Sequence, residues 1–297
     1  MYKMKWLFFK LLFLYPRVYA FFCYYRKKER RKEIEEKFDF FFKEQWNAKK
    51  RRAVVLNIFQ LRGLRKVAYY LIPLMDAQFI KKFVKIEGLH YLDRALKEGR
   101  GIVLMTGHFG NPQLGYNAVR MLGYDLILIK GGAPRSVRKP RRKKFRYVDA
   151  IENTIFISAS SLPENYKGRI LETLRSGKII NYYGDTKEGR KKEKISFLGR
   201  EIGFPTGIIP LAHQAQAAII PFIHLYRNGK ITLIFKEPID DNWKEGEKGY
   251  RRIVEGFAKI LESYILDQPQ QYFGIYGPTV LSDYYLSYRN GGASLPR

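Results

Sequence analysis

The chain has 297 residues, 46% of them apolar, enough for one large or two modest domains with a substantial core, and too apolar for a disordered polymer. Lys and Arg number 55 against 28 Asp and Glu, a net charge of +27 that attracts polyanions: nucleic acid, anionic lipid, phosphorylated substrates or an acidic carrier protein. The single cysteine, Cys23, excludes an internal disulfide and a zinc site built from cysteine pairs. The histidines (His90, His108, His213, His224) show no His-Glu-x-x-His spacing, so no metal and no cofactor are expected.

The amino terminus is not an ordinary soluble start. Trp6 to Tyr25 is rich in Leu, Phe and Tyr and has the length of a membrane-crossing helix, but Lys10 and Arg17 interrupt it and Pro16 favours a kink. Lys3, Lys10 and Arg17 share one helical face, a basic stripe on a greasy helix. That suits a helix lying at a lipid interface, with its cations reaching the phosphates. A core helix packed on the same chain is the alternative. A secretory signal is disfavoured, because no small-x-small cleavage site follows a compact apolar core. The basic run Arg26 to Lys32 is placed to meet an anionic, cytoplasmic leaflet.

Residues 1–26 are therefore expected to form a membrane-anchoring helix, 27–280 one domain, and 281–297 a polar, frayed tail. Within the domain, 27–85 is patterned as helices, with Ile34, Phe38, Phe41 and Phe42, then Val54 to Leu64, at helical spacing. From 86 to 280 strands and helices alternate. The expected strands are Ile102–Met105, Leu126–Ile129, Thr154–Ile157, Ile179–Tyr182, Ile219–Leu225 and Ile231–Phe235. Helices are expected at Leu89–Lys97, Leu114–Leu122, Pro163–Leu174, Gly207–Gln216 and near Gly249–Tyr264. Asn228-Gly229 signals a two-residue hairpin. The fold class is α/β: a mixed, mostly parallel central sheet flanked by helices.

His108 is the leading functional candidate. Ile102 to Met105 is continuously apolar, as in a strand buried on both faces, and Gly107 and Gly110 bracket the histidine at its carboxyl end. Ligands of open α/β sheets bind at that end, and a neutral imidazole there can take a proton from a hydroxyl near pH 7. Asp185 repeats the plan: the apolar run Ile179 to Tyr183, then Gly184, then a polar residue. It is read either as a turn aspartate or as a partner of His108. Arg135, Arg138, Arg141 and Arg146 belong to an acid-free basic run with the character of a phosphate- or headgroup-binding arm. A second cluster, Lys187 to Arg200, follows Asp185. The run Ser196 to Gly207 reads as an apolar loop, with Phe197, Leu198 and Phe204 free to line an acyl channel or to pack in the core, and Thr206 as a helix cap. His90, His213 and His224 are read as structural.

These stretches together resemble the bacterial lipid A biosynthesis acyltransferases, the lauroyl/myristoyl transferase family. The resemblance runs from about Leu7 to Gly277. It rests on Glu98-Gly99-Arg100-Gly101 leading to Thr106-Gly107-His108-Phe109-Gly110-Asn111, on Tyr183-Gly184-Asp185, on Phe204-Pro205-Thr206-Gly207 and on Ile220-Pro221-Phe222 through Tyr226-Arg227-Asn228-Gly229. Gln268 to Phe273 is a weaker match. The resemblance implies fatty acyl transfer from acyl carrier protein or acyl-CoA to a hydroxyl of an anionic glycolipid at the cytoplasmic face of the inner membrane, without nucleic acid. It implies His108 as general base and Asn111, Thr206, Arg227 and the 135–146 arginines as substrate-binding residues.

The family motif is His, four residues, then Asp or Glu. Here that last position is Gln113. An amide can accept a hydrogen bond but brings no charge; the same exchange costs a serine protease about 10⁴ in turnover. The departure leaves three readings: an engineered substitution, a natural one with Asp185 or Glu152 supplying the carboxylate, or a binding-competent but slow relative. On this reading Gln113→Glu raises acyl transfer by orders of magnitude. A basic nucleic-acid-binding protein is the competing class, but no reading module is present.

Overall fold

The computed structural model describes residues 2–42, 47–72, 75–131, 154–157, 166–189, 191–227, 229–239, 247–277 and 279–290. Four helices open the chain: α1 (Tyr2–Arg26), α2 (Lys28–Phe42), α3 (Ala48–Leu71) and α4 (Ala77–Phe83). Then come β1 (Val84–Glu87), α5 (Leu89–Lys97), β2 (Ile102–Thr106), α6 (Pro112–Met121), β3 (Leu126–Gly131), β4 (Thr154–Ile157), α7 (Tyr166–Arg175) and β5 (Ile179–Tyr183). The remainder is β6 (Lys192–Phe197), β7 (Arg200–Pro205), α8 (Ile209–Gln214), β8 (Ala218–Arg227), β9 (Lys230–Phe235), α9 (Glu247–Asp267), two 3-10 turns (Pro269–Gln271 and Phe273–Ile275) and α10 (Val280–Arg289).

Seven strands form one sheet in the order β1-β9-β8-β2-β5-β3-β4. Every neighbouring pair is parallel except β8 with β9, which are antiparallel as the Asn228-Gly229 signal anticipates. The fold is thus mixed α/β with a mostly parallel sheet between helices. Strand β2 lies in the interior between β8 and β5, and all its residues are buried. Its side chains alternate between two cores. Ile102 and Leu104 join the core that holds Leu64, Phe79 and Leu114; Val103 and Met105 join the one that holds Phe257, Leu261 and Phe204. Continuous apolarity follows, since neither face meets water.

The amino-terminal helix is less of a free anchor than its composition suggests. Pro16, Ala20 and Cys23 are buried, and α1 lies along α3, with Ala20 and Cys23 in the same core as Val55, Ile58 and Phe59. No helix among the described residues is long and apolar enough to cross a membrane. The opposite side of α1 still exposes Leu14, Val18, Phe21, Phe22 and Tyr25. The reading as a helix packed on the same chain is met on one face, while the other face stays bare.

Four further expectations are corrected. Val84–Glu87, at the edge of the helical region, is a short strand pairing with β9; its two apolar side chains are too few to signal a strand. The run 196–207 is largely a hairpin, β6–β7, and not a loop; of the two readings of its apolar residues core packing is the one met, with Phe197 and Phe204 fully buried edge-to-face at 5.0 Å. Thr206 does not cap the following helix; Ile208 holds that position, and the Thr206 hydroxyl donates to the Lys191 carbonyl at 3.5 Å. The supposed frayed tail begins with α10, capped by Thr279, because Leu281 has a core to enter and the Tyr284 and Tyr285 rings meet Phe40, tilted and edge-on respectively.

Candidate active site

Register builds the site. In the parallel pair β2/β5, Thr106 stands opposite Tyr183, and the Gly184 N–H donates to the Thr106 carbonyl at 2.8 Å. Two residues beyond each strand end come His108 and Asp185, so the pairing that makes the sheet also delivers these side chains to one point. Both intervening positions are glycine because α9 lies on them. A Cβ at Gly107 would meet Leu261 Cδ1 at 2.7 Å, and one at Gly184 would meet Phe257 Cε1 at 2.6 Å.

Asp185 is fully buried, yet its carboxylate is well supplied with donors. His108 Nδ1 lies 2.7 Å from Oδ1; Oδ2 accepts the His108 backbone N–H at 2.8 Å and the Tyr272 hydroxyl at 2.8 Å. A buried charge needs such donors. A carboxylate only accepts, so this contact selects the His108 tautomer with the proton on Nδ1. Nε2 is left with its lone pair, which is the form a general base requires. Burial and the Asp185 charge push the Tyr272 phenol well above its usual range, so it remains a donor.

The imidazole is fixed from several sides. The Tyr183 ring lies 4.4 Å away at a 30° tilt, and Phe273 presents its edge at 5.3 Å. The His108 side chain keeps 14% exposure, enough for a reactant to reach one edge. The segment after α9 clamps the backbone: the Phe273 N–H donates to the His108 carbonyl at 3.0 Å, and the Gly110 N–H to that of Gln271 at 2.9 Å. Beneath this loop sits His224, its Nε2 3.4 Å from Thr106 Oγ1 and its pKa pulled down to about 4 by burial.

Gln113 is not the partner of His108; Asp185 occupies that role in space. Gln113 lies in the first turn of α6, where its carbonyl accepts Asn117 Nδ2 at 2.8 Å and its Oε1 is buried without a partner. Of the three readings of that position, the one with Asp185 as the carboxylate matches this geometry. Asn111 caps α6, its Oδ1 accepting the Leu114 N–H at 3.2 Å. Arg227 pairs with Asp267 at 2.8 Å on the surface, and both line a cleft with Gln268, Gln270 and Gln271. Arg200, read as part of a basic cluster, is buried against Phe40, whose carbonyl it hydrogen-bonds at 2.6 Å. Arg135, Arg138, Arg141, Arg146 and Glu152 lie outside the described residues.

Tyr272, Phe273 and Arg65 escaped the sequence reading as site residues. Tyr272 and Phe273 stood inside the weak Gln268–Phe273 match; Arg65 is one of many basic residues, and only docking of α3 brings it to Phe273, 3.2 Å from the ring centre.

A histidine–carboxylate pair at the carboxyl ends of adjacent parallel strands is equipped to activate a hydroxyl. The family model described as bacterial lipid A biosynthesis acyltransferase matches residues 10–276, and the chain belongs to that family. Comparison with curated proteins gives no match. Membership supports an acyltransferase of lipid A biosynthesis.

Proposed function

We propose that the protein is a membrane-associated O-acyltransferase that moves a fatty acyl group from a thioester, on acyl carrier protein or CoA, to a hydroxyl of an anionic glycolipid of the lipid A precursor type. His108 Nε2 takes the hydroxyl proton as the oxygen attacks the thioester carbonyl. The resulting imidazolium is held by Asp185. Collapse of the tetrahedral intermediate breaks the C–S bond, and the proton passes from His108 to the departing thiolate. The products are an ester and a free thiol.

The 2.7 Å contact between His108 Nδ1 and Asp185 Oδ1 carries this reading. Membrane association draws support from the exposed apolar face of α1 and the basic residues that follow it. The net charge of +27 suits an acidic carrier protein and an anionic cytoplasmic leaflet of the inner membrane.

The test is acyl transfer by the purified full chain, with acyl carrier protein or CoA thioester as donor and a lipid A precursor in mixed micelles, followed by mass spectrometry. One added acyl chain, lost in His108→Ala, is the expected result. No transfer to any hydroxyl lipid, from either donor, overturns the reading. Flotation with anionic vesicles tests the membrane claim, and Phe21→Glu with Phe22→Glu is expected to release the protein.

A further inference from the structure

The cleft that Arg227 and Asp267 line has a volume of about 500 Å³, within the ~300–1,000 Å³ of small-ligand sites. Strand β8 explains its place. Thr106, the last residue of β2, stands opposite Phe222 in the parallel register, so Tyr226 and Arg227 project beyond the carboxyl end of the sheet. Arg17 of α1, Asn57 and Gln60 of α3, and the turn Pro269–Gln271 close round the space beside them.

Much of this polar lining is unused. Asn57, Gln60 and Gln270 make no side-chain hydrogen bond among the described residues, and Arg17 makes no ion pair there. Gln271 is occupied: its Oε1 accepts the Tyr226 N–H at 2.8 Å and its Nε2 donates to the Tyr226 carbonyl at 3.0 Å, which pins the cleft wall to β8. The Gln271 carbonyl holds Gly110, and Phe273 presents its edge to the imidazole. One short segment thus walls the cleft and braces His108.

The donor set defines a ligand class. Hydroxyl groups both donate and accept, and amides with a carboxylate answer both needs. Two guanidinium groups against the one carboxylate of Asp267 leave a single positive charge, and the guanidinium fork matches phosphate oxygens. Leu14 and Val18, on the same helix as Arg17, are exposed apolar surface. A molecule with hydroxyls, a phosphate and hydrocarbon chains answers all three features. We propose that the cleft seats the phosphorylated saccharide headgroup of the acceptor lipid, with Arg17 and Arg227 on the phosphate and Asn57, Gln60 and Gln270 on the sugar hydroxyls. Calling the ligand the acceptor rests on the transferase reading. A headgroup held against the segment that braces His108 confines the acceptor hydroxyl near the base, so recognition of the head serves positioning.

The test has a binding arm and a kinetic arm. Saturation-transfer NMR is run on the full chain in non-ionic detergent with N-acetylglucosamine 1-phosphate as the probe. Sugar-proton signals are expected in the parent, lost when Arg17→Gln is combined with Arg227→Gln and weakened when Asn57→Ala is combined with Gln60→Ala. Arg17, Asn57 and Arg227 are exposed and Gln60 is half-buried, so these variants keep the fold; Arg17→Lys, which keeps the charge, is expected to retain the signal. No signal in the parent, signals equal in parent and variants, or a parent signal erased by an equal concentration of inorganic phosphate overturns the site. In the kinetic arm, on non-ionic mixed micelles, the double arginine variant raises KM for the phosphorylated acceptor about tenfold or more, the loss of a charge-assisted hydrogen bond, and leaves the donor KM unmoved. A rise confined to the donor gives the cleft to the donor and overturns the assignment. If the parent transfers no acyl chain, the transferase reading falls while the NMR arm still decides whether the cleft binds a sugar phosphate.

Discussion

The Tyr272 hydroxyl donates to Asp185 Oδ2 at 2.8 Å, while the opposite oxygen of the same carboxylate holds His108. Tyr272 is fully buried and touches the imidazole only through Asp185, so it is a positioning residue. Tyr272→Phe keeps the ring and removes one hydrogen bond to a charged group, worth about 1.5–3 kcal/mol. A fall in kcat of about tenfold to a hundredfold with KM nearly unchanged is expected. Steady-state kinetics on both substrates check it; a change confined to KM would place Tyr272 in binding instead.

Asp185 and Gln113 make opposite predictions. Asp185→Asn leaves the size of the side chain but removes the charge behind the imidazole and invites the wrong tautomer. By analogy with the serine-protease aspartate, turnover drops about 10⁴-fold. Gln113→Glu adds a carboxylate at a position where the existing Oε1 is already buried and unpartnered. Such a group is held protonated by desolvation, so the rate changes by less than about tenfold. A gain of several orders of magnitude in Gln113→Glu, measured in the same transfer assay, would return that residue to the catalytic pair.

Gly184 fixes the approach of α9 to the strand end. Gly184→Ala puts a methyl group 2.6 Å from Phe257 Cε1 and 3.0 Å from Met105 Cγ, both in the core. Overpacking of this kind costs about 1–3 kcal/mol. Because Asp185 is the next residue, the strain also displaces the carboxylate. Chemical denaturation is expected to show the destabilisation, and transfer kinetics a fall in kcat beyond what the unfolded fraction explains.

His224 makes stability sensitive to acid. Burial, with help from the charges of Arg65 and His108, pulls its pKa from 6.5 to about 4. The folded protein therefore binds this proton less readily than the unfolded chain. Its contribution is fully present above about pH 6.5 and is lost as pH falls toward 4, about 3 kcal/mol in all. Between pH 7.5 and 5 the parent protein is expected to lose about 2 kcal/mol more than His224→Gln does. Urea titrations at the two pH values measure that difference; equal losses would mean the imidazole is accommodated when charged.

The legible parts of the chain were those with a local cause. Strand β2 announced itself because both its faces are dry, and the glycine-then-polar ending of β2 and β5 marked His108 and Asp185 as strand-end residues. Their partnership was harder to see, since it depends on which strands become neighbours, and Gln113 is nearer along the chain. The β6–β7 hairpin was obscured because Phe197 and Phe204, buried against the domain, look like exposed loop apolars until α9 covers them. Tyr272 had only the weak Gln268–Phe273 match to mark it, and Arg65 is one of many basic residues. Each has its place only because a distant segment docks beside the imidazole.

His108 and its carboxylate are separated by 77 residues, and the phenol that steadies them lies a further 87 beyond Asp185. A nascent or half-collapsed chain therefore has the histidine without the carboxylate that the proposed mechanism pairs with it. Under the proposed mechanism, an acyl thioester is then not cleaved until the carboxyl-terminal elements have docked on the sheet. Competence for chemistry becomes a checkpoint on completed assembly, and any lesion that loosens the carboxyl-terminal third silences the enzyme before it visibly unfolds.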